Sequence, residues 1–163
     1  MIYIQLIGIL AFCVLVLSFY KKKTSTIIAY QIVSNFAYTI HYFLLGALSG
    51  AYISFVGIFR NIAYLKVKKR KSILSIAVIS LYLIITIIFY ENVFSLLPLI
   101  ANSQYLLCML KNDKKVLLVS ALISSTMWAT YAIFVSSYAA MITESILLVS
   151  NTIQLIKINK KSS

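Results

Sequence analysis

The chain has 163 residues, of which 62% are hydrophobic and only 11% are charged, and its mean hydropathy is +0.98. A soluble domain is about half apolar and about a quarter charged, so this composition excludes an ordinary soluble protein and predicts an integral membrane protein. The net charge of +12 does not indicate a nucleic-acid partner, because the basic residues form four short clusters between apolar runs of near membrane-spanning length. The clusters lie at 21–23, 66–71, 111–115 and 157–161, and Arg60 is the only basic residue outside them.

The first apolar run, MIYIQLIGILAFCVLVLSFY, has no positive charge before it and no small-x-small cleavage site after it. A cleavable signal peptide has the opposite layout, so we expect a retained first helix that enters the membrane from outside. Cys13 and Cys108 lie in apolar runs, and the chain has one histidine, His41. These residues predict neither a disulfide framework nor a metal site, and we expect no cofactor.

Seven apolar segments follow one another along the chain, each close to the roughly 20 residues that span a bilayer. Seven spans put every lysine cluster on one side of the membrane and leave Glu91 as the only charge on the other side. By the positive-inside rule, this predicts the N-terminus outside and the C-terminus in the cytoplasm. The predicted helices are Ile2–Tyr20, Ile27–Leu45, Leu48–Lys66, Ile73–Tyr90, Asn92–Leu110, Val116–Val135 and Tyr138–Lys157.

The two halves of the sequence resemble each other at a spacing of 90 residues. This shift aligns the basic clusters and pairs Leu6 with Leu96, Ala11 with Ala101, Ser34 with Ser124, Asn61 with Asn151 and Leu65 with Leu155. The prediction is a three-helix repeat at 1–71, a linker helix at 72–90 and a second three-helix repeat at 91–163, together forming one membrane domain. The linker helix makes the two repeats parallel, which is a known transporter plan. The alternative is that low-complexity apolar sequence imitates a repeat.

Polar residues form a stripe along one face of four of the predicted helices. The third helix carries Gly50, Ser54, Gly57, Asn61 and Tyr64 at alternating spacings of four and three, which is one helical face. Because polar groups avoid hydrocarbon, we expect the stripes to converge inside the bundle. The other stripes are Gln31, Ser34 or Asn35, Tyr38 and His41 on the second helix, Ser124, Trp128 and Tyr131 on the sixth, and Ala140, Glu144, Leu147, Asn151 and Gln154 on the seventh.

These stripes supply candidates for a solute site. Asn61 and Asn151 are the paired candidates, although small and polar residues also hold membrane helices together. Tyr38 and Trp128 are either core aromatics or a stacking surface for a ring-shaped solute.

Three ionisable residues lie within the apolar segments. Glu144 and His41 are predicted at the same depth, and we hypothesise a paired or proton-exchanging couple. Arg60 lies roughly 9 Å deeper at 1.5 Å per residue, where it could pair with either of them. Its side chain is also long enough to snorkel towards Lys66, so an inward and a snorkelling arrangement are both open.

Pro98 is the only proline in the chain, and Gly8 occupies the corresponding position of the first repeat. Each residue loosens a helix ladder, so both are hinge candidates. A proline kink without a mobile role is the alternative.

A resemblance to a known family rests on three stretches of sequence: SNFAYTIHYFLLGALSGAYISFVGIFRNIAYL, LLP at 96–98, and MITESILLVSNTIQLIKINKK. They closely resemble small bacterial inner-membrane proteins of the YgjV type, over nearly the whole chain. The most specific element is H-x-F-L-L-G, which runs from His41 to Gly46, and Arg60 and Glu144 also match the family's pattern. The resemblance implies a multi-pass protein of the bacterial cytoplasmic membrane.

That family is grouped with the MtN3/saliva and PQ-loop proteins, which include the SWEET and SemiSWEET sugar transporters. The grouping implies a SWEET-like plan of three, one and three helices, with Asn61 and Asn151 at positions similar to the sugar-contacting asparagines. The chain departs from that pattern, because Leu99 follows Pro98 and a Pro-Gln pair is absent. The spacing of Trp128 from Asn151 also differs from that of the sugar transporters.

Two functions are compatible with the sequence. The first is a facilitator or secondary transporter of a small polar solute, with a midplane site between the two repeats. The second is a non-transporting assembly or lipid-interacting protein, in which the polar residues only hold the bundle together. We do not expect an enzyme, because the chain has one histidine and three acidic residues, one of them, Asp113, in a loop. The expected partners are membrane lipids and a small solute; the oligomeric state is open.

Overall fold

The computed structural model describes residues 2–21, 23–67, 70–111 and 113–162. Over these residues the chain forms seven α-helices and one short 3-10 helix, with no strand, which confirms the all-α prediction. The helices are α1 (Ile2–Phe19), α2 (Thr24–Leu44), α3 (Leu48–Lys66), α4 (Lys71–Ile88), α5 (Leu96–Met109), α6 (Lys114–Phe134) and α7 (Tyr138–Ser162), and the 3-10 helix is Val93–Ser95.

Three helices in the described part of the chain are long and apolar enough to cross a membrane on length and composition alone. These spans are Lys71–Ile88, Lys114–Phe134 and Tyr138–Lys160. Two shorter apolar helices lie at Ile2–Ser18 and Val93–Met109. Polar residues such as Asn35 and Asn61 lower the hydropathy of α2 and α3. Seven helices are therefore confirmed, and the crossing of the bilayer by α1, α2, α3 and α5 stays a prediction.

The predicted helix boundaries differ from the observed ones by three or more residues at three places. Helix α2 begins at Thr24, three residues early, and α7 continues to Ser162 through its lysine cluster. Helix α5 begins at Leu96, four residues late, because Asn92 starts a separate 3-10 turn. In that turn the Asn92 side chain accepts from the Phe94 N–H and the Ser95 hydroxyl accepts from the Asn92 N–H, which together form a capping box.

Consecutive helices pack together in two groups. Helix α2 packs against α1 and α3, and α6 packs against α5 and α7, whereas α4 packs between α3 and α5. Helices α1 and α7 close the other side of the bundle. One buried cluster joins α2, α3, α6 and α7, and a second joins α3, α4 and α5. Their central residues are Tyr42, Ala51, Tyr131 and Ala140 in the first, and Ile53, Val56, Tyr82 and Leu106 in the second.

The turns that follow α2 and α6 have the same hydrogen-bond pattern. After α2, the Ala47 N–H donates to the Tyr42 carbonyl at 2.9 Å, and the Gly46 N–H donates to the Phe43 carbonyl at 3.0 Å. This is a Schellman motif, which needs a left-handed residue, and Gly46 has φ +75°. After α6, the same two bonds run from Ser137 to Ala132 and from Ser136 to Ile133, with Ser136 at φ +54°.

Polar side chains from other parts of the chain cap α3 and α7 at the end of the bundle where these turns lie. The Glu91 carboxylate accepts from the Leu48 N–H at 3.0 Å, where it also complements the positive end of the α3 dipole. The Gln5 side chain accepts from the Ala139 N–H at 3.1 Å and donates to the Ser136 carbonyl at 3.0 Å. These contacts tie the α4–α5 connection to α3, and α1 to α7.

Candidate functional site

A cavity of about 140 Å³ lies inside the bundle, between the α1–α3 group and the α5–α7 group. Six helices contribute to its wall, and α4 contributes no residue. Members of all four polar stripes line it, together with residues that were not singled out in the sequence. The lining residues are Leu15, Ser34, Asn35, Tyr38, Tyr42, Ile53, Ser54, Gly57, Arg60, Asn102, Trp128, Ala140 and Glu144.

Two residues of opposite charge, Arg60 and Glu144, belong to the cavity wall. The Arg60 guanidinium lies near Tyr82 of α4 and Tyr105 of α5, whereas the Glu144 carboxyl lies against the Ser125 hydroxyl of α6. No ion pair joins Arg60 to Glu144 in the part of the chain that the structure describes. Because Arg60 lines the cavity, it faces inward rather than snorkelling to Lys66, and the wall contains a basic and an acidic group that are not paired.

Asn61 is buried beside Arg60 but does not line the cavity. Its Oδ1 accepts from Arg60 Nε at 3.1 Å and from Arg60 Nη2 at 3.0 Å, so the amide holds the guanidinium in place. The Nδ2 atom of Asn61 has no hydrogen-bond partner among the described residues, and the Tyr82 hydroxyl lies against the Arg60 guanidinium. Buried polar groups are almost always paired, so the unpaired Nδ2 is an exception among the described residues.

Three aromatic rings follow one another along the cavity wall. Tyr38 stacks on Tyr42 with ring centroids 6.1 Å apart, and Tyr42 stacks on Trp128 at 5.7 Å. The Tyr38 hydroxyl is held by the Thr143 hydroxyl at 2.8 Å, one residue from Glu144. The predicted aromatic candidates Tyr38 and Trp128 thus lie in one wall, and Tyr42 joins them.

His41 is fully buried and lies outside the cavity wall. Its Nδ1 is 2.8 Å from the Ile4 carbonyl oxygen, and its Nε2 is 2.7 Å from the Ser137 hydroxyl. Because a carbonyl oxygen only accepts, we assign the proton of a neutral imidazole to Nδ1, and Nε2 accepts from Ser137. Both ring nitrogens are engaged away from Glu144, so the hypothesised couple is not a direct hydrogen bond here. Instead, His41 joins α1, α2 and the start of α7.

The remaining predicted site residues lie apart from the cavity. Asn151 is half-buried on α7, two turns beyond Glu144, and does not hydrogen-bond Asn61 in the described part of the chain. Pro98 lies in the first turn of α5, where a backbone N–H has no helical partner. The N–H that proline lacks therefore costs no helical hydrogen bond. Gly8 lies in α1, where a Cβ would come within 2.6 Å of the Ala139 Cβ. The structure thus shows a packing reason for Gly8, and hinge motion at Gly8 and Pro98 stays a prediction.

Several polar residues of the bundle were missed in the sequence. Asn102 lines the cavity from α5 and donates to the Pro98 carbonyl at 2.8 Å, four residues earlier. Gln104 donates to the Ser120 carbonyl at 2.9 Å and to the Ser124 hydroxyl, and it locks α5 onto α6. Both residues could have been found from the sequence, because they are polar residues within the otherwise apolar fifth span. In the described residues, no three His, Cys, Asp or Glu side chains gather into a metal site.

The comparison with known proteins gives one match. The chain fits the family model named Imp-YgjV and described as a bacterial inner membrane protein, over residues 2–162. No curated protein and no solved structure matches the chain.

Proposed function

Because the chain belongs to the Imp-YgjV family of bacterial inner membrane proteins, we propose that it is a facilitator or secondary transporter of a small polar solute. The observation that carries this proposal is the cavity, whose wall contains Arg60, Glu144, Asn35 and Asn102. Charged and amide side chains inside a membrane bundle are costly, and where they occur they mark solute and ion pathways. The cavity supplies a place where these groups meet a polar ligand.

A parallel arrangement of three, one and three helices underlies the proposed pathway. Three structural features recur at a spacing of 90 residues and support it. Helices α2 and α6 begin and end 90 residues apart, as do the left-handed residues Gly46 and Ser136. The Ser34 hydroxyl donates to the Ala11 carbonyl at 2.8 Å, and the Ser124 hydroxyl donates to the Ala101 carbonyl at 2.8 Å. Both pairs correspond to residues aligned by the sequence repeat.

The cavity lies between the two proposed units, and α4 acts as the linker between them. In transporters built from parallel repeats, the solute site lies at the repeat interface and one repeat rocks against the other. By this proposal, the α1–α3 unit presents Arg60 to the solute and the α5–α7 unit presents Glu144. Asn61 positions Arg60, and Asn151 lies on the route from the site towards the lysine-rich end of α7.

The orientation follows from the charge distribution. The basic clusters at 66–71 and 157–161 belong on the cytoplasmic side by the positive-inside rule, which puts the N-terminus outside. The exposed isoleucines of α4, among them Ile76, Ile84 and Ile87, face lipid in this arrangement.

A second function, a non-transporting membrane protein held together by polar contacts, is favoured by a different observation. Gln104 and His41 make buried hydrogen bonds between helices and do not line the cavity. Such bonds stabilise helix packing whether or not a solute is carried. The two functions differ in the expected effect of filling the cavity with a larger side chain, because only a transporter then loses solute flux.

The test is a matched pair of Ser→Phe variants in proteoliposomes. Ser54 lines the cavity from α3, and Ser80 is exposed on α4, which contributes nothing to the wall. Uptake of labelled alanine, glycerol and glucose is measured for the wild type and both variants. We expect Ser54→Phe to abolish at least one flux that Ser80→Phe leaves intact. If the wild type moves none of these solutes faster than protein-free vesicles, the non-transporting function is favoured. If it moves one of them and both variants behave alike, the cavity is not the pathway.

A further inference from the structure

The cavity wall carries one basic and one acidic side chain that do not pair with each other. Arg60 and Glu144 both line it, and the described residues show no ion pair between them. Arg60 is surrounded by groups of α3, α4 and α5, and Glu144 by groups of α2 and α6. An isolated charge in a membrane bundle is costly unless something pairs with it. Arg60 therefore favours a negatively charged group beside it, and Glu144 favours a positively charged one.

The end of the cavity near Arg60 is rich in hydrogen-bond donors. Two of the five N–H groups of the guanidinium are used on Asn61 Oδ1, which leaves further donors. Asn61 Nδ2, which is buried and does not line the cavity, has no partner among the described residues. Planar donors of this kind match a carboxylate, which accepts several hydrogen bonds at once.

The end near Glu144 has the opposite character. The carboxyl lies against Ser125, and Tyr38 and Tyr42 line the same cavity. The Tyr38 hydroxyl is already hydrogen-bonded to Thr143, so it does not donate to the Glu144 carboxyl. A carboxylate beside aromatic rings is suited to an ammonium group, which gains both an ion pair and a cation–π contact.

The size of the cavity limits the solute. The cavity measures about 140 Å³. Pockets for drug-sized ligands measure about 300–1,000 Å³, so a hexose is large for this cavity. A solute with a carboxylate and an ammonium separated by one or two carbons has the right size and both charges.

Resting on the proposed transport function, we propose that the substrate is a compact zwitterion, an amino acid with a small side chain such as alanine. Its carboxylate binds the Arg60 guanidinium, which Asn61 holds in place, and its ammonium binds Glu144 on the same cavity wall as Tyr38 and Tyr42. The two charges of the solute satisfy both charges of the wall at once, which a sugar, a simple anion or a simple cation does not.

The experiment is competition for labelled alanine uptake in vesicles of phosphatidylethanolamine and phosphatidylglycerol. Unlabelled competitors are alanine, propionate, which has only the carboxylate, and isopropylamine, which has only the ammonium. We expect propionate and isopropylamine to compete at least about tenfold more weakly than alanine, since each lacks one charge-assisted contact. Equal competition by alanine and propionate overturns the proposal.

Substitutions at Glu144 and Arg60 test which end of the solute each side chain binds. Glu144→Gln removes the anion at nearly constant shape, and we expect it to weaken alanine while strengthening propionate. Arg60→Gln is expected to weaken both, and Arg60→Lys to recover part of the alanine flux. Size-exclusion profiles and melting temperatures of the purified variants identify any that do not fold. If propionate competition is unchanged in Glu144→Gln, the assignment of the ammonium to Glu144 is wrong.

Failure of this proposal is distinguishable from failure of transport. If alanine uptake equals that of protein-free vesicles while a glycerol flux is blocked by Ser54→Phe, the zwitterion assignment is overturned and transport stands. If alanine is carried and Ser54→Phe blocks it while Ser80→Phe does not, both are supported.

Discussion

Gly8 lies where α1 packs closely against α2 and α7. A Cβ at this position would be 2.6 Å from the Ala139 Cβ and 2.9 Å from His41 Cε1. We expect Gly8→Ala to destabilise the protein by about 1–3 kcal/mol, because helices must move apart to admit the methyl group. The measurement is thermal unfolding in detergent.

The double variant Gly8→Ala, Ala139→Gly is the control for this prediction. It removes the closer of the two contacts, so we expect it to recover part of the lost stability. Full stability of the single variant would show that the helices are not as close as described.

His41 is assigned a structural role by its two hydrogen bonds. We expect His41→Phe to lower the free energy of unfolding by about 2–3 kcal/mol, because the Ile4 carbonyl and the Ser137 hydroxyl each lose a hydrogen-bond partner inside the bundle. His41→Gln, which keeps polar groups, is expected to lose less, and Phe43→Leu on the exposed face of α2 serves as the control. Unchanged melting of His41→Phe combined with a lost solute flux would instead support the proton-exchange hypothesis.

At the residue scale, the sequence distinguished the polar stripes but not the contacts within them. The spacing of Ser54 and Gly57 on α3, and of Ala140 and Glu144 on α7, predicted residues that line the cavity, because helical periodicity puts each pair on one face. Gln154 of the same α7 stripe is exposed. Arg60 hydrogen-bonds its own neighbour Asn61, and Glu144 contacts Ser125. These contacts depend on side-chain directions and on which helices are adjacent. A pattern along one helix does not contain that information.

The two Schellman turns provide a prediction at the scale of elements. A Cβ at Gly46 meets nothing within 4 Å, so the cost of Gly46→Ala comes from the backbone alone. We expect a loss of about 1–2 kcal/mol, the penalty of a left-handed conformation for a residue with a Cβ. Ser136→Gly relieves the same strain in the second turn, and we expect a gain of up to about 1 kcal/mol.

Melting temperatures of the two turn variants in detergent check this prediction. Gly46→Asn is the matched control, because Asn tolerates the left-handed region and is expected to cost less than Ala. A fall in stability for both Gly46→Ala and Ser136→Gly would contradict equivalent roles for the two turns.

Helix boundaries were predictable where the apolar run ended at a turn signal. Helix α3 was predicted to the residue, because Gly46 precedes it and a lysine cluster follows it. The start of α5 was not, because the capping box at Asn92 converts one turn into a 3-10 helix. The end of α7 was placed too early, since a helix continues through polar residues such as Lys157 and Lys160 once it leaves the apolar run.

At the scale of the whole molecule, composition predicted the all-α membrane class, because few charges and long apolar runs exclude the alternatives. The cavity was predictable only as a convergence of stripes. Its volume, and the separation of Arg60 from Glu144 within it, arise from the packing of six helices and from small residues such as Gly57 and Ala140. The basic clusters remain the basis for the predicted orientation.

The central claim is that the cavity is a solute pathway that opens to the two faces of the membrane in turn. Cysteine accessibility at Ser54 tests it most directly, in a background in which Cys13 and Cys108 are replaced by alanine. A membrane-impermeant thiol reagent is applied to either face of oriented vesicles, and Ser80→Cys, outside the cavity, is the control. We predict that Ser54→Cys reacts from both faces and that alanine slows the reaction. Labelling from only one face would contradict the claim. Labelling from neither face would also contradict it and would show that the cavity is a closed gap in the packing.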